Sequence, residues 1–396
     1  MGTIEQFILL IIGAAIVVVL ARLVRVQYTL ALLVFGLFLG GVGVVPTVPL
    51  TSRLILLLFL PPLLFEAAFA LDLRLLWARR RGVLALALPG TILATLIGGL
   101  IVHWAAGFPW PIALVFGAMI AATDPIAVLA TFRQLGVEAR LAVLLEGESL
   151  FNDGVGLSLF LALVAAVSGG FDLGHAAQEF VLTVVGGAML GFAVGWVGHW
   201  VVALVDDHLT EMIVSVAVAY GAFLAADELH LSGVMATLIA AMTLSYLGRS
   251  RGWVFTGGSA ALLDDLWAFL AFGANAALFL LMGLAAPGAG LATYAPFVAW
   301  GVLAALGGRA AVAYGLGTLL ERFGLRSTWA ERHVVFWGGL RGAIALAAAL
   351  SLPAEFPYRQ ELLAMTYGVV LFTVLAQGLT IGPLVKRLGL VRSGAQ

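Results

Sequence analysis

The sequence predicts an all-α polytopic membrane protein with about 13 transmembrane helices, and the composition is the first observation behind that prediction. Of its 396 residues, 63% are hydrophobic and only 10% are charged, whereas soluble domains carry about 25% charged residues. The mean hydropathy is +1.12, and apolar runs of roughly 18 residues or more recur along the chain, each long enough to cross a bilayer. The alternating segments of about ten residues that a membrane β-barrel requires are absent.

The apolar runs divide the chain into thirteen predicted spans joined by short connections. Roughly, they cover residues 4–24, 28–45, 51–71, 82–106, 110–132, 138–167, 175–204, 209–226, 231–248, 259–286, 291–320, 328–352 and 361–388. No basic residue precedes the first run, so we interpret it as a spanning helix rather than a cleaved signal peptide. No soluble regulatory domain is predicted in the connections or after the last span.

The basic residues support this topology and predict its orientation. With thirteen spans and the N-terminus outside, only Arg53 and Arg359 of the 20 Lys and Arg fall on the outer side, while Arg309 and Arg341 lie within spans. All the others fall on the cytoplasmic side, as the positive-inside rule requires. The C-terminus is therefore predicted to be cytoplasmic. The net charge of -1 gives no case for a nucleic-acid partner, and the lack of cysteine excludes thiolate metal sites.

Two spans, the fifth and the twelfth, place a charge beside a helix breaker in the middle of an apolar run. Asp124 precedes Pro125 in the fifth span, and Arg341 lies among glycines in the twelfth. Pro125 cannot donate a backbone hydrogen bond, so the helix is predicted to open near residues 121–123. The two positions correspond if spans 1–6 and 8–13 are six-helix repeats, and the offset of seven spans makes these repeats inverted. Paired interrupted spans indicate the binding site of a transporter.

A polar cluster in the sixth span, within residues 144–156, is predicted to face this broken helix. Ser149 and Asp153 are four residues apart and share one helix face, and Glu148 and Asn152 share the adjacent face. Asn152 does not titrate, so it is predicted either to orient Asp153 or to hold the broken helices together. Ionisable groups inside a membrane are costly and indicate function.

Asp153 and Asp124 form the natural pair of carboxylates. Two nearby carboxylates in a low dielectric cannot both stay ionised without a counter-cation, so a proton or a cation must neutralise one of them. Hard cations prefer oxygen ligands, which both carboxylates, the Ser149 hydroxyl and the Thr123 carbonyl can supply. Competition between a monovalent cation and protons for one site is the chemistry of an antiporter. Glu66, which follows two prolines in the third span, either reaches this ion or is a cytoplasmic-end residue near Asp72.

The two intramembrane arginines need anionic partners. Because Arg309 and Arg341 are always protonated, neither can carry the exchanged proton. Lys386, the only lysine, lies at the C-terminal edge, so the carrier must be a carboxylate. Glu148 is the leading candidate to pair with Arg309, and Arg341 is expected to balance charge at the second broken helix.

Five motifs together resemble the sodium/proton exchanger family, in its cation:proton antiporter 1 branch. They are Leu60-Pro-Pro-Leu-Leu-Phe-Glu, Ala122-Thr-Asp-Pro, Glu148-Ser-Leu-Phe-Asn-Asp, Gly338-Gly-Leu-Arg-Gly-Ala and Val374-Leu-Ala-Gln-Gly-Leu-Thr. That branch carries Asn-Asp where the other branch carries Asp-Asp. The motifs occur in the right order over nearly the whole chain.

The resemblance implies a homodimer among membrane lipids, in a prokaryotic inner (plasma) membrane, that exchanges Na⁺, with Li⁺ or K⁺ as alternatives, for H⁺ by electroneutral 1:1 exchange. It implies no cofactor and no enzymatic activity. Asp153 would be the principal ion and proton carrier, with Thr123, Asp124, Ser149 and Glu66 around the ion and a Glu148–Arg309 pair in the core.

The resemblance also implies two domains and an elevator-like movement of one against the other. The mobile core is predicted at about 51–167 and 291–388 (spans 3–6 and 10–13, with span 10 at 259–286), and the dimerisation domain at about 1–50 and 175–248. The long cytoplasmic tail of animal members has no counterpart in the sequence.

Two other classes of protein place acidic residues in a membrane. An intramembrane aspartyl protease needs a Gly-x-Gly-Asp signature, and Asp153 precedes Gly154 rather than following such a motif. A cation channel lines a continuous pore with acidic residues, whereas paired broken helices in inverted repeats favour alternating access.

Overall fold

The computed structural model describes residues 3–24, 26–43, 50–170, 172–204, 207–250, 259–322 and 327–391. Regular structure within these ranges is helical, apart from an isolated bridge between Val137 and Val391. Four of the arginines that the topology argument places on the cytoplasmic side lie outside the described residues. They are Arg25, Arg251, Arg326 and Arg392.

The helices follow one another through short connections. In chain order they are α1 (Thr3–Leu23), α2 (Tyr28–Val42), α3 (Ser52–Ala70), α4 (Leu73–Ala106), α5 (Trp110–Met119), α6 (Ile126–Leu135), α7 (Ala139–Ser168), α8 (Leu173–Ala203), α9 (His208–Glu228), α10 (Gly233–Ser250), α11 (Ser259–Ala285), α12 (Ala295–Glu321), α13 (Trp329–Trp337), α14 (Ala343–Ser351) and α15 (Arg359–Arg387). In the part of the chain that the structure describes, eight helical segments are long and apolar enough to cross a membrane. The all-α, integral membrane class is confirmed.

The helix α4 begins earlier than the sequence predicts. Its predicted start is residue 82, but the chain is already helical from Leu73, where the Asp72 carboxylate accepts backbone hydrogen bonds at 2.9 and 3.1 Å and caps the helix. Leu76 and Val83 pack where Gly147 of α7 leaves space for them. The run of arginines lowers the hydropathy of this segment, so hydropathy alone does not show the apolar stripe. The charged side chains lie on the other helix face.

The helix α3 carries a π-helical turn, Ile55–Phe59, just before its two prolines. Pro62 has no N–H with which to bond the Leu58 carbonyl four residues earlier. The Tyr220 hydroxyl of α9 donates a hydrogen bond to that carbonyl at 3.1 Å. The acceptor that Pro62 leaves without its helical donor is therefore satisfied by packing of α3 against α9.

Small residues bring other helices into close contact. Gly36 of α2 lies against the backbone of α11 at Leu280, and Gly283 of α11 lies against the backbone of α2 at Leu33. A Cβ at either glycine would collide with a carbonyl oxygen, so a larger residue would force the helices apart. This contact fixes α2 and α11 as one unit beside the broken helices, as small residues do in membrane interfaces.

Both predicted interruptions occur. The first separates α5 from α6 at residues 120–125, which includes the predicted opening at 121–123, and the second separates α13 from α14 at residues 338–342. The two breaks touch, since the Asp124 N–H donates to the Leu340 carbonyl at 2.8 Å. Four helix ends therefore meet at one place inside the apolar bundle.

Candidate functional site: an oxygen-lined cavity at two broken helices

A cavity of about 290 Å³ lies beside the first break. The five residues predicted to surround an ion all line it: Glu66, Thr123, Asp124, Ser149 and Asp153. Three helical regions far apart in sequence supply them, namely α3, the break after α5, and α7. The folded chain thus brings together oxygen atoms that the sequence could only suggest were neighbours.

The first break is held open by side chains of α7. Ser149 donates its hydroxyl proton to the Thr123 carbonyl, which the interrupted helix leaves free. Both oxygens keep lone pairs with which they can bind a cation. One Asp124 carboxylate oxygen accepts the Ile126 N–H at 3.0 Å, which caps the start of α6 and leaves the other carboxylate oxygen unused by that bond.

Asn152 ties the break to the interior of the bundle. Its amide oxygen accepts the Thr123 N–H at 3.1 Å, and its amide nitrogen donates to the Thr123 hydroxyl at 2.8 Å and to a Glu148 oxygen at 3.0 Å. Of the two roles left open for Asn152, these bonds favour the one that holds the broken helix in place. An acidic residue here could not donate the two bonds that the amide nitrogen makes.

Glu148 and Arg309 form a buried bidentate ion pair. The two N–O distances are 2.6 and 2.9 Å, and the exposed fractions of the two residues are 1% and 4%. Arg309 also donates through Nε to the Val335 carbonyl at 2.8 Å, near the end of α13. The pair therefore joins α7, α12 and the second broken helix. Neither side chain lines the cavity, so their opposite charges cancel outside it.

Arg341 occupies the second break and is 2% exposed. Its guanidinium donates to the Ile120 carbonyl at 2.5 Å, to the Ala305 carbonyl at 3.4 Å and to the Gly339 carbonyl. Its backbone N–H donates to the Thr373 hydroxyl at 3.0 Å. Carbonyl oxygens that the interrupted helices leave without partners are satisfied in this way.

The charges at the breaks match the helix dipoles. Asp124 lies at the start of α6, and Gly342, which it touches, lies at the start of α14, so the carboxylate faces two positive helix ends. Arg341 binds carbonyls just beyond the ends of α5 and α13, which are negative helix ends. The crossing therefore stabilises one anion and one cation without bringing them into a direct ion pair.

Two glycines explain the Gly-Gly-Leu-Arg-Gly sequence of the second break. A Cβ at Gly342 would overlap the Asp124 carboxylate, and a Cβ at Gly339 would lie 2.6 Å from Arg309 Nε. Only glycine fits at either position, because a charged side chain approaches the backbone closely. One glycine makes room for a residue of the cavity, and the other makes room for the buried ion pair.

Glu66 of α3 lines the cavity and is partly buried. Arg133 and Glu146 line the same cavity. Asp72, the alternative neighbour of Glu66, instead caps α4. The structure thus places Glu66 in the lining of the cavity that Asp124 and Asp153 share.

Four polar residues that line the cavity were not predicted from the sequence: Tyr28, Arg133, Glu146 and Asn275. A signal existed for Glu146, because it precedes Ser149 by three residues and Asp153 by seven, a spacing that places all three on one helix face. Asn275 is a lone amide in an otherwise apolar stretch of α11, which is a weak signal. Nothing local distinguishes Tyr28.

An oxygen-lined cavity beside two touching broken helices in a membrane bundle defines a secondary ion transporter. Comparison with known proteins identifies the family. A family model described as sodium/hydrogen exchanger, transmembrane, matches residues 8–387, and the chain belongs to that family. Its members are transporters rather than enzymes, and the ions they carry are substrates rather than cofactors.

Individual relatives match over most of their length. The Na(+)/H(+) antiporter ApNhaP of Aphanothece halophytica is 37% identical over 99% of this chain and 76% of its own. The Na(+)/H(+) antiporter NhaH of Halobacillus aidingensis is 33% identical over 97% of this chain and 98% of its own. The solved structure of a sodium proton antiporter from Methanocaldococcus jannaschii covers 98% of each chain with a TM-score of 0.80 at 19% identity, which supports the fold.

Proposed function

We propose that this protein exchanges Na⁺ for H⁺ across a prokaryotic inner (plasma) membrane, with the ion and the proton competing for Asp153. The observation that carries the proposal is that Asp153, Asp124, the Ser149 hydroxyl and the Thr123 carbonyl share one cavity. These are the oxygen ligands that a hard monovalent cation prefers. The antiporters to which the chain is similar carry this activity in their names.

Charge accounting favours a one-for-one exchange. Glu148 and Arg309 neutralise each other outside the cavity, and Arg341 is fixed by carbonyl groups. Asp124 faces positive helix ends, which favour its ionised form. We assign the alternation between a bound cation and a bound proton to Asp153, with Glu66 and Glu146 of the same cavity unchanged, so that each loaded state carries the same net charge. We propose Na⁺ as the main substrate, with Li⁺ and K⁺ as the alternatives that the transport assay distinguishes.

We propose thirteen membrane crossings in two inverted repeats. The pair α5–α6 forms the fifth crossing, and the pair α13–α14 forms the twelfth. The contact between the two breaks supports an internal pseudo-symmetry of this kind. With an N-terminus outside and a cytoplasmic C-terminus, the exposed Arg133 at the cavity mouth would face the cytoplasm. The structure would then correspond to the state that is open to the cytoplasm.

An elevator-like movement requires a mobile core and a fixed scaffold. We propose α4–α7 and α12–α15 as the core, and α1–α3 with α8–α11 as the scaffold that forms a homodimer. This division differs from the predicted one at α3 and α11. The packing supports the change, because Ser245 of α10 donates to the Phe69 carbonyl of α3 at 2.8 Å. The Phe65 ring of α3 also packs against the Trp267 ring of α11 in a tilted arrangement, with centroids 4.2 Å apart.

The proposal is tested by reconstituting the purified protein in liposomes that enclose a pH-sensitive dye. A Na⁺ gradient should drive a pH change across the membrane, and Li⁺ and K⁺ gradients measure selectivity. Asp153→Asn, which is nearly isosteric but cannot alternate between charged and neutral forms, should abolish the change. Glu138→Gln is the matched control, since Glu138 is an exposed carboxylate in a connection.

Retained exchange in Asp153→Asn would refute the proposed carrier. Cation flux without any coupled proton flux would indicate a channel instead of an antiporter.

A further inference from the structure

Asn275 contributes an unused oxygen atom to the cavity. The side chain lies in α11, lines the cavity wall that faces the broken helix, and belongs to a residue that is only 5% exposed. Its amide oxygen, Oδ1, has no hydrogen-bond partner in the structure. A buried acceptor without a partner costs free energy, roughly 1–3 kcal/mol in measured cases. A buried oxygen that lines a cavity can be satisfied by a ligand bound there.

The neighbours of Asn275 hold the side chain in place and connect it to the ion site. Phe272, three residues before Asn275 in α11, packs its ring against the Tyr28 ring of α2 with centroids 4.8 Å apart. Tyr28, Phe272 and Asn275 all line the cavity. The unused oxygen thus lies on an element of the proposed scaffold, in a cavity that Asp124 and Asp153 of the proposed core also line.

We propose that the amide oxygen of Asn275 is a further ligand for the transported cation and a determinant of its selectivity. This inference rests on the proposed function. An amide oxygen is a hard ligand that does not alter the net charge of the site. It would therefore change the affinity for the ion without changing the number of protons exchanged. Because α11 is fixed to α2, an ion that contacts both Asn275 and Asp153 must have a radius that matches the separation of their oxygen atoms.

The first test replaces Asn275 with leucine, which has a similar volume and lacks the oxygen. In liposomes, Asn275→Leu should raise the apparent KM for Na⁺ about tenfold, the loss expected for one contact with a charged group. The maximal rate should stay within about twofold of wild type, and the ratio of Li⁺ to Na⁺ affinities should change. Gln377→Leu is the matched control, because Gln377 is a buried amide with an unpartnered oxygen that does not line the cavity.

A second variant separates loss of the ligand from damage to packing. Asn275→Asp keeps an oxygen at nearly the same place and adds a negative charge, so its KM for Na⁺ should equal or fall below the wild-type value. A purely structural role would lower the maximal rate and the thermal stability in both variants and leave KM unchanged. An unchanged KM in Asn275→Leu, or an equal rise in Asn275→Leu and Asn275→Asp, would overturn the proposal.

The binding step can be measured without transport. Increasing NaCl at constant ionic strength should raise the thermal unfolding midpoint of the wild-type protein in detergent, because a ligand that binds the folded state stabilises it. Asn275→Leu should require about ten times more NaCl for the same rise. A wild-type protein with neither Na⁺ exchange nor Na⁺ stabilisation would refute the proposed function itself. Wild-type activity with an identical NaCl response in Asn275→Leu would refute the Asn275 inference alone.

Discussion

The two broken helices differ in what fills them. The first break, at residues 120–125, is lined by hydroxyl, carbonyl and carboxylate oxygens and opens onto the cavity. The second break, at residues 338–342, is filled by the guanidinium of Arg341, which is 2% exposed and bonded to backbone carbonyls. The same interruption of a membrane helix therefore serves two purposes. We propose that the first binds a mobile charge, while the second holds a fixed charge that stabilises the crossing.

Each break supplies one negative and one positive helix end, and the difference follows from which side chain meets each pair of ends. Negative helix ends accept a permanent cation, and arginine provides one that never deprotonates. Positive helix ends accept an anion, and a carboxylate can be neutralised either by a proton or by a metal cation. Asp124, which meets the two positive ends, can therefore take part in binding a cation, whereas Arg341, which meets the two negative ends, cannot. Substitutions at three places test this comparison, in order of decreasing expected effect.

Arg341→Ala should have the largest effect, and the effect should be on folding. It removes the donor to the carbonyls of Ile120, Ala305 and Gly339 in a buried position. Unpaired buried carbonyls cost roughly 1–3 kcal/mol each, so little folded protein should remain in a size-exclusion profile after mild heating. Arg341→Lys should be intermediate, because one ammonium group cannot span the same acceptors.

Arg140→Ala, which removes an exposed arginine, serves as the control for Arg341. Normal stability of Arg341→Ala with loss of exchange would contradict the structural role and move Arg341 into the transport mechanism.

The two glycines of the second break should give different defects. Gly342→Ala pushes a methyl group into the Asp124 carboxylate, so it should lower Na⁺ affinity about tenfold or more while the protein still folds. Gly339→Ala pushes a methyl group into Arg309, so it should lower the unfolding midpoint first. The measurements are KM for Na⁺ in liposomes and thermal unfolding in detergent.

Gly273→Ala is the matched control for both glycines, since it lies in α11 with open space at the Cβ position. Identical defects in Gly342→Ala and Gly339→Ala would mean that the two breaks are not functionally distinct.

Asn152→Ala should have the smallest effect of these substitutions. It leaves the Thr123 N–H without its acceptor and removes one donor to Glu148, for a loss of about 1–3 kcal/mol in the free energy of unfolding. The break should become less ordered, so KM for Na⁺ should rise modestly while Asp153 still exchanges protons. Complete loss of exchange at normal stability would show that Asn152 acts on the ion directly.

The sequence predicts the first break well because its signals are local. Pro125 identifies where the helix opens, and the four-residue spacing of Ser149 and Asp153 identifies the facing side chains. The scaffold wall of the cavity is different, because Tyr28 and Asn275 are about 250 positions apart in the sequence and meet only through the packing of α2 on α11. No periodicity within either helix encodes that contact.

The start of α4 shows a second limit of sequence reasoning. Hydropathy identifies the apolar part of a helix and misses a charged extension whose buried stripe consists of a few residues such as Leu76 and Val83. The structure pairs Glu148 with Arg309, which was the leading candidate from the sequence. Arg341, the other arginine within a predicted span, instead donates to backbone carbonyls at a helix break.

The central claim is that one carboxylate alternates between ion and proton while every other buried charge stays fixed. The most direct test measures Na⁺-driven proton flux in liposomes at several membrane potentials, clamped with K⁺ and valinomycin. We expect the initial rate to be the same at every potential, because the site carries the same charge in both loaded states. A rate that rises or falls with the potential would show that net charge moves in each cycle, and would contradict a single alternating site at Asp153.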